Sequence, residues 1–167
     1  LSDLIEIIKS RRIISKVVEN NKWNITYTRV GRIKEIEVFR EDSPVKVIFI
    51  QPDTATKDNL SGSYHIRIDS QTQFTNVETN KSYHFGQKIQ NPYGDFILVA
   101  NDGKDLKFER GTELVIKFAP FLATVNSYKS RVQISALGDG SRILNISLVD
   151  NITKRANVFI DELVKEF

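Results

Sequence analysis

The last third of the chain constrains the fold most. Val132, Ile134 and Ala136 alternate with Arg131, Gln133 and Ser135, and Leu144, Ile146 and Leu148 alternate with Asn145 and Ser147. A period of two marks a strand with one buried face. Gly138-Asp139-Gly140 separates the two runs, and glycine supplies the positive φ of a tight hairpin. After Asp150 the period changes. Ile152, Ala156, Phe159, Ile160, Leu163 and Val164 recur as on one face of an amphipathic helix. The chain therefore ends as strand, turn, strand, helix. Laying the helix on the hairpin buries all three apolar faces at once. The expected core of this region is Val132, Ile134, Leu144, Ile146, Leu148, Ala156, Phe159, Ile160 and Leu163, with Asp150 or Asn151 as the helix cap.

The opening segment reads as a second helix, from Asp3 to Asn20, with Asp3 and Glu6 at capping-box spacing. Leu4, Ile7 or Ile8, Ile14, Val17 and Val18 form its apolar stripe, and Ile8, Ile14 and Val18 are its expected core. Arg11 and Arg12 interrupt the stripe with a basic turn. As a solvated helix face they need no partner. As a functional feature they are candidate oligomer contacts to acidic groups on a neighbouring copy.

Between these ends the chain is rich in short strand-like runs. Trp23 to Arg29, Ile33 to Phe39, Val45 to Ile50, Ser63 to Ile68, Gln73 to Val77, Lys81 to Phe85, Asp95 to Val99 and Leu114 to Phe118 all favour strand. Turn signals such as Asn91-Pro92-Tyr93-Gly94 and Asn101-Asp102-Gly103 separate them. Pro120 opens a further short helix, where proline is tolerated. The expected fold is α+β, with helices packed on a mixed or antiparallel sheet. Residues 1–30 and 119–167 form a base domain, and residues 31–118 form a β-rich insertion: a meander, sandwich or small barrel.

Composition narrows the function classes. The 167 residues carry a net charge of +3, with 40% hydrophobic and 27% charged residues, as in an ordinary globular chain. No block of Lys or Arg is dense enough to indicate nucleic acid. The absence of cysteine excludes disulfides, thiolate metal sites and a cysteine nucleophile, and suits an extracytoplasmic domain. The chain opens at Leu1 without methionine, inside a helical pattern, and reads as part of a longer protein. No apolar run approaches the ~20 residues that span a bilayer.

The search for a catalytic constellation finds no phosphate loop, dinucleotide fingerprint, zinc-protease helix or nucleophile elbow. His65 and His84 with Asp69 are the one combination that suggests a metal, and sheet-surface histidines is the preferred reading. Asp102, Asp105 and Glu109 lack the ligand series of a calcium loop. Trp23, Tyr27, Tyr64, Tyr83 and Tyr93 suggest a sugar-stacking platform, against the simpler reading that they pack in the core or line sheet faces. No catalytic, cofactor or metal residue is assigned.

The two ends together carry a resemblance. Leu4-Ile-Glu-Ile-Ile-Lys-Ser-Arg-Arg-Ile-Ile-Ser-Lys-Val-Val-Glu19 resembles the opening helix of bacterial polysaccharide co-polymerases, the chain-length determinants and their relatives fused to a cytoplasmic tyrosine autokinase. Ser141-Arg-Ile-Leu-Asn-Ile-Ser-Leu-Val-Asp150 and the helix to Phe167 resemble that family's closing strand and helix. The proline usual after the strand is replaced by Asn151-Ile152, and Phe167 stands where tyrosine is common. The resemblance implies the periplasmic part of an inner-membrane protein, anchored only through flanking membrane helices, with a long helical hairpin beyond Phe167. It implies a homo-oligomer without enzymatic activity or cofactor in this chain. Such a protein works with polysaccharide polymerase and export machinery, with a glycan as a candidate further partner, and controls the length or export of exopolysaccharide, capsule or O-antigen. The competing class is a secreted or surface β-rich module that binds carbohydrate or another ligand in an aromatic-lined groove. A third is an extracytoplasmic hydrolase, which needs converging titratable groups in a pocket.

Overall fold

The computed structural model describes residues 2–167. In chain order these form α1 (Ser2–Ile8), α2 (Arg11–Asn21), β1 (Ile25–Val30), β2 (Glu35–Val38), β3 (Val45–Phe49), β4 (Gly62–Ile68), β5 (Gln73–Asn76) and β6 (Lys81–His84). Then follow β7 (Phe96–Ala100), β8 (Glu113–Phe118), α3 (Phe121–Arg131), β9 (Val132–Ala136), β10 (Leu144–Leu148) and α4 (Thr153–Glu166). The fold is α+β. It divides into two compact units, one of residues up to Trp23 together with Phe121–Phe167, the other Asn24–Pro120. The boundary differs from the sequence expectation. β1 belongs to the β-rich unit because it pairs on both sides, with β2 and with β8.

The first unit is held by helices. Ile13, Ile14, Val17 and Val18 of α2, Val125 and Tyr128 of α3, and Phe159 and Leu163 of α4 are all buried. Trp23, just past α2, stacks on Tyr128 at 5.4 Å, and Tyr128 stacks on Phe159 at 5.2 Å between ring centroids. α2 and α4 run antiparallel: Asn21 Nδ2 donates to Glu162 Oε2 at 2.7 Å, and Lys16 Nζ lies 3.8 Å from Glu166 Oε2. The start of α2 and the end of α4 therefore lie at the same end of this unit.

Three expectations about this unit are corrected. The opening helix is not continuous. It breaks at Lys9-Ser10, where Ser10 turns extended and its Oγ accepts the Ile13 N–H at 3.4 Å, capping α2. The β9–β10 hairpin pairs in the expected register, Ile146 opposite Ile134 and Leu144 opposite Ala136, but it is not the floor of the core. Val132 is buried, whereas Ile134, Leu144, Ile146 and Leu148 are half-buried, as are Ala156 and Ile160 of α4. Two strands offer a narrow face, and the buried residues of this unit come mainly from α2, α3 and α4. The α4 cap is Ile152, not Asp150 or Asn151.

The second unit is an antiparallel sandwich. Six strands in the order β2-β1-β8-β4-β5-β6 form one layer, and β3 paired with β7 forms the other. Alternate residues point inward: Leu114 and Ile116 of β8, Ile66 and Ile68 of β4, Ile25 and Tyr27 of β1, and Phe74 of β5. They meet Val45, Val47, Phe49, Phe96 and Leu98 of the smaller layer. Tyr27 joins the layers chemically, its hydroxyl accepting the Val47 N–H at 2.9 Å. Buried Asn24 clamps the first and last strands of the unit. Its Nδ2 donates to Ala55 O at 2.6 Å and Ala119 O at 3.2 Å, and its own carbonyl accepts the Ala119 N–H at 2.8 Å. The chain thus enters and leaves this unit at adjacent points.

α2 extends through Asn21 and ends on Lys22, which takes a left-handed conformation at φ 53° while Trp23 N–H returns to Val18 O at 3.2 Å. A residue with a Cβ pays about 1 kcal/mol for that conformation. We expect Lys22→Gly to raise the stability by about 0.5–1 kcal/mol, read as a higher denaturant midpoint with an unchanged slope.

Candidate functional site

Arg11 and Arg12 occupy the first turn of α2 and are exposed, and neither forms an ion pair among the described residues. Cations here oppose the helix dipole and gain nothing from the fold. No ion pair among the described residues explains their position.

A charged cluster that sequence reasoning missed lies between β10 and α4. The Asp150 side chain is fully covered. Its Oδ2 accepts Arg155 Nε at 2.8 Å, and its Oδ1 accepts Arg155 Nη2 at 2.8 Å and the Ile152 N–H at 2.9 Å. Arg131 approaches from the end of α3, with Nη1 at 3.8 Å from Asp150 Oδ2. The same nitrogen donates to Val149 O at 3.1 Å, and the guanidinium lies over the Tyr128 ring at 4.4 Å. Burial pushes the Asp150 carboxyl up, but Arg155, the Ile152 N–H and Arg131 outweigh it and hold it below the usual carboxylate range. The cluster orients the hairpin, α3 and α4. Its acceptor atoms are taken by its own arginines, so it is structural chemistry. An arginine on the buried face of a helix, five residues after an aspartate, is the signal that could have revealed it.

The histidines do not meet. His65 lies on β4 and His84 on β6, with β5 between them. His65 Nε2 is 2.8 Å from Glu113 Oε1, and Asp69 is engaged by Arg67 Nε at 2.9 Å and by the Thr75 hydroxyl. No group of three metal-ligating side chains converges among the described residues. Asp102, Asp105 and Glu109 also stay apart. Asp102 faces Lys46 at 3.5 Å, Asp105 accepts the Lys107 N–H, and Glu109 receives both Arg29 Nη atoms at 3.1 and 3.3 Å. That bidentate pairing lowers the Glu109 pKa.

The five aromatics do not form one platform. Trp23 and Tyr27 are core residues, and Tyr83 stacks on Phe74 at 5.5 Å. Tyr64 and Tyr93 alone share a cleft. It has a volume of 310 Å³ and opens between Gly62–Tyr64, the Gln90–Tyr93 turn and Phe118. Tyr64 packs edge-on against Phe96 at 5.3 Å, and burial pushes its phenol up to about 12, so it is a neutral wall. Tyr93 is tied to Ser61 by a hydroxyl–hydroxyl bond of 3.0 Å. Gln90 and Asn91 add carboxamides to the rim. The cleft holds aromatic surface and neutral hydrogen-bonding groups, with no titratable pair set for acid–base work.

No protein-family model matches this chain, and no curated protein matches it.

Removing Arg155 would leave the covered Asp150 carboxylate with only the Ile152 N–H and the longer 3.8 Å contact to Arg131. We expect Arg155→Ala to cost about 3–5 kcal/mol at neutral pH. A carboxylate with a lowered folded pKa stabilises above its unfolded pKa, near 3.9, and loses that contribution as pH falls through the folded value. The gap between parent and variant should therefore narrow in acid. Denaturant melts at neutral pH and below the carboxylate range check both the size and the sign.

Proposed function

We propose that this chain is a non-catalytic periplasmic assembly domain of a bacterial inner-membrane protein that regulates the chain length or export of exopolysaccharide, capsule or O-antigen. One observation carries the reading. The two chain ends build a single helical unit in which the start of α2 and the end of α4 lie together, and the β-rich unit is spliced between them in sequence. A domain carried between two flanking membrane segments needs its entry and exit on one side. The unpaired Arg11 and Arg12, on the helix whose residues resemble the co-polymerase pattern, support contacts between copies. Such a domain acts by geometry: copies arranged around the polymerase set how long a growing glycan is retained.

The test uses the full-length protein in its own host. Joining Trp23 to Phe121 through a short Gly-Ser linker removes the β-rich unit. We expect a shifted glycan length distribution on gels at unchanged protein level. An unchanged distribution both here and on deletion of the whole gene overturns the reading. Arg11→Glu with Arg12→Glu should alter the oligomer on native gels or the length profile. If both match the parent, these arginines have no such role.

The Tyr64–Tyr93 cleft favours a second reading, a carbohydrate-binding module, since aromatic walls with carboxamides suit a sugar ring. Calorimetry of the chain with the host's own polysaccharide fragments separates the two. Binding lost in Tyr93→Ala, with an unaltered glycan length in the gene deletion, selects the module.

A further inference from the structure

At the end of the sandwich reached by β1, two segments project large apolar side chains into solvent. Ile33, at the tip of the β1–β2 turn, is 98% exposed, Ile36 is 53% exposed, and Phe108, in the short turn before β8, is 79% exposed. A single exposed Leu or Ile needs no explanation, but three large apolar groups close together at one end do. The loops are held together. Arg29, one residue from the end of β1, grips Glu109 with both Nη atoms at 3.1 and 3.3 Å. A groove of 270 Å³ runs between Gly31, Lys34 and Ile36 on one side and Gly111 to Glu113 on the other.

The charges around these groups are mainly positive. Arg32, Lys34, Lys104 and Arg110 are exposed on the same loops, and none is in an ion pair among the described residues. The acidic groups nearby are mostly engaged: Glu109 by Arg29, Asp105 by Lys107 at 3.4 Å, and Asp69 by Arg67. Glu35 and Asp102 are the exposed exceptions, Asp102 lying 3.5 Å from Lys46, and Glu113 faces His65 at 2.8 Å. Apolar tips ringed by exposed cations match a surface that is anionic outside and apolar just beneath.

We propose that this end of the sandwich docks on an anionic lipid bilayer, with Ile33 and Phe108 entering the headgroup–acyl boundary and Arg32, Lys34, Lys104 and Arg110 meeting lipid phosphates. Each basic residue near such a surface strengthens binding by about fivefold, and salt screens it. The buried apolar side chains supply the part that salt does not remove. The proposal concerns the sandwich alone and stands or falls apart from the polysaccharide reading.

The test is co-sedimentation of the whole chain with vesicles of phosphatidylcholine, alone or mixed with phosphatidylglycerol. We expect binding to the mixed vesicles only, weakened by salt and at least about tenfold weaker in Ile33→Asp/Phe108→Asp. Both positions are exposed, so the variant should keep the parent's circular dichroism and melting. Leu137→Asp/Ile143→Asp, which makes the same charge change on the exposed tip of the other hairpin, should bind as the parent does. No binding by the parent, equal binding to both vesicles, or loss in the Leu137/Ile143 variant but not the Ile33/Phe108 variant each overturns the proposal. So does a concentration-dependent dimer, seen by light scattering, that the Ile33/Phe108 aspartates abolish, because the tip would then serve a second copy.

Discussion

The helical unit depends on three stacked rings. Trp23 follows the opening helices, Tyr128 lies in the helix after the sandwich, and Phe159 lies in the last helix. Their contact requires segments more than a hundred residues apart in sequence to meet. Stacked aromatic pairs add about 0.5–1.5 kcal/mol each beyond the area they bury, and all three side chains are buried. The entropy of closing so long a loop grows only slowly with its length. The sandwich lowers the remaining cost, because Asn24 and Ala119 hydrogen-bond to each other and bring the two connections side by side.

Much of the fold was legible because period-two patterns are strong where one face is dry. All eight strand-like runs of the middle region became strands, including Ile33 to Phe39, whose β-branched residues decided an ambiguous pattern. What could not be read was pairing. β8 inserts between β1 and β4, so the sheet is ordered by contacts remote in sequence. The same limit misassigned β1 to the helical unit. The break at Ser10 was hidden for a local reason: the apolar stripe keeps helical spacing across it, and the serine's capping bond competes with helix continuation only where the chain can turn.

Expected core residues divide in an instructive way. Ile8, Ile14, Val18, Val132, Phe159 and Leu163 are buried, while Ile134, Leu144, Ile146, Leu148, Ala156 and Ile160 are half-covered. Alternation reports that a face is apolar, not how much lies over it. A hairpin of two strands has two free edges and a narrow face, so its apolar residues stay partly wet unless a third element covers them. The candidate site was legible to the same degree. Arg11 and Arg12 stood out as charges interrupting an apolar stripe, and they are exposed. Asp150 and Arg155 did not, because a buried ion pair looks like two surface residues until the surrounding helices are in place.

The two kinds of charge in this chain mark different uses. Asp150 and Arg155 satisfy one another under cover, and a pair so desolvated gains specificity of packing more than net stability. Arg11, Arg12, Arg32, Lys34, Lys104 and Arg110 have no ion-pair partner among the described residues and stay in water. Solvated cations cost the fold little, and an excess of them on particular turns adds nothing to the core. Exposed charges of this kind act on whatever approaches from outside, where long-range attraction sets encounter and orientation before any close contact forms.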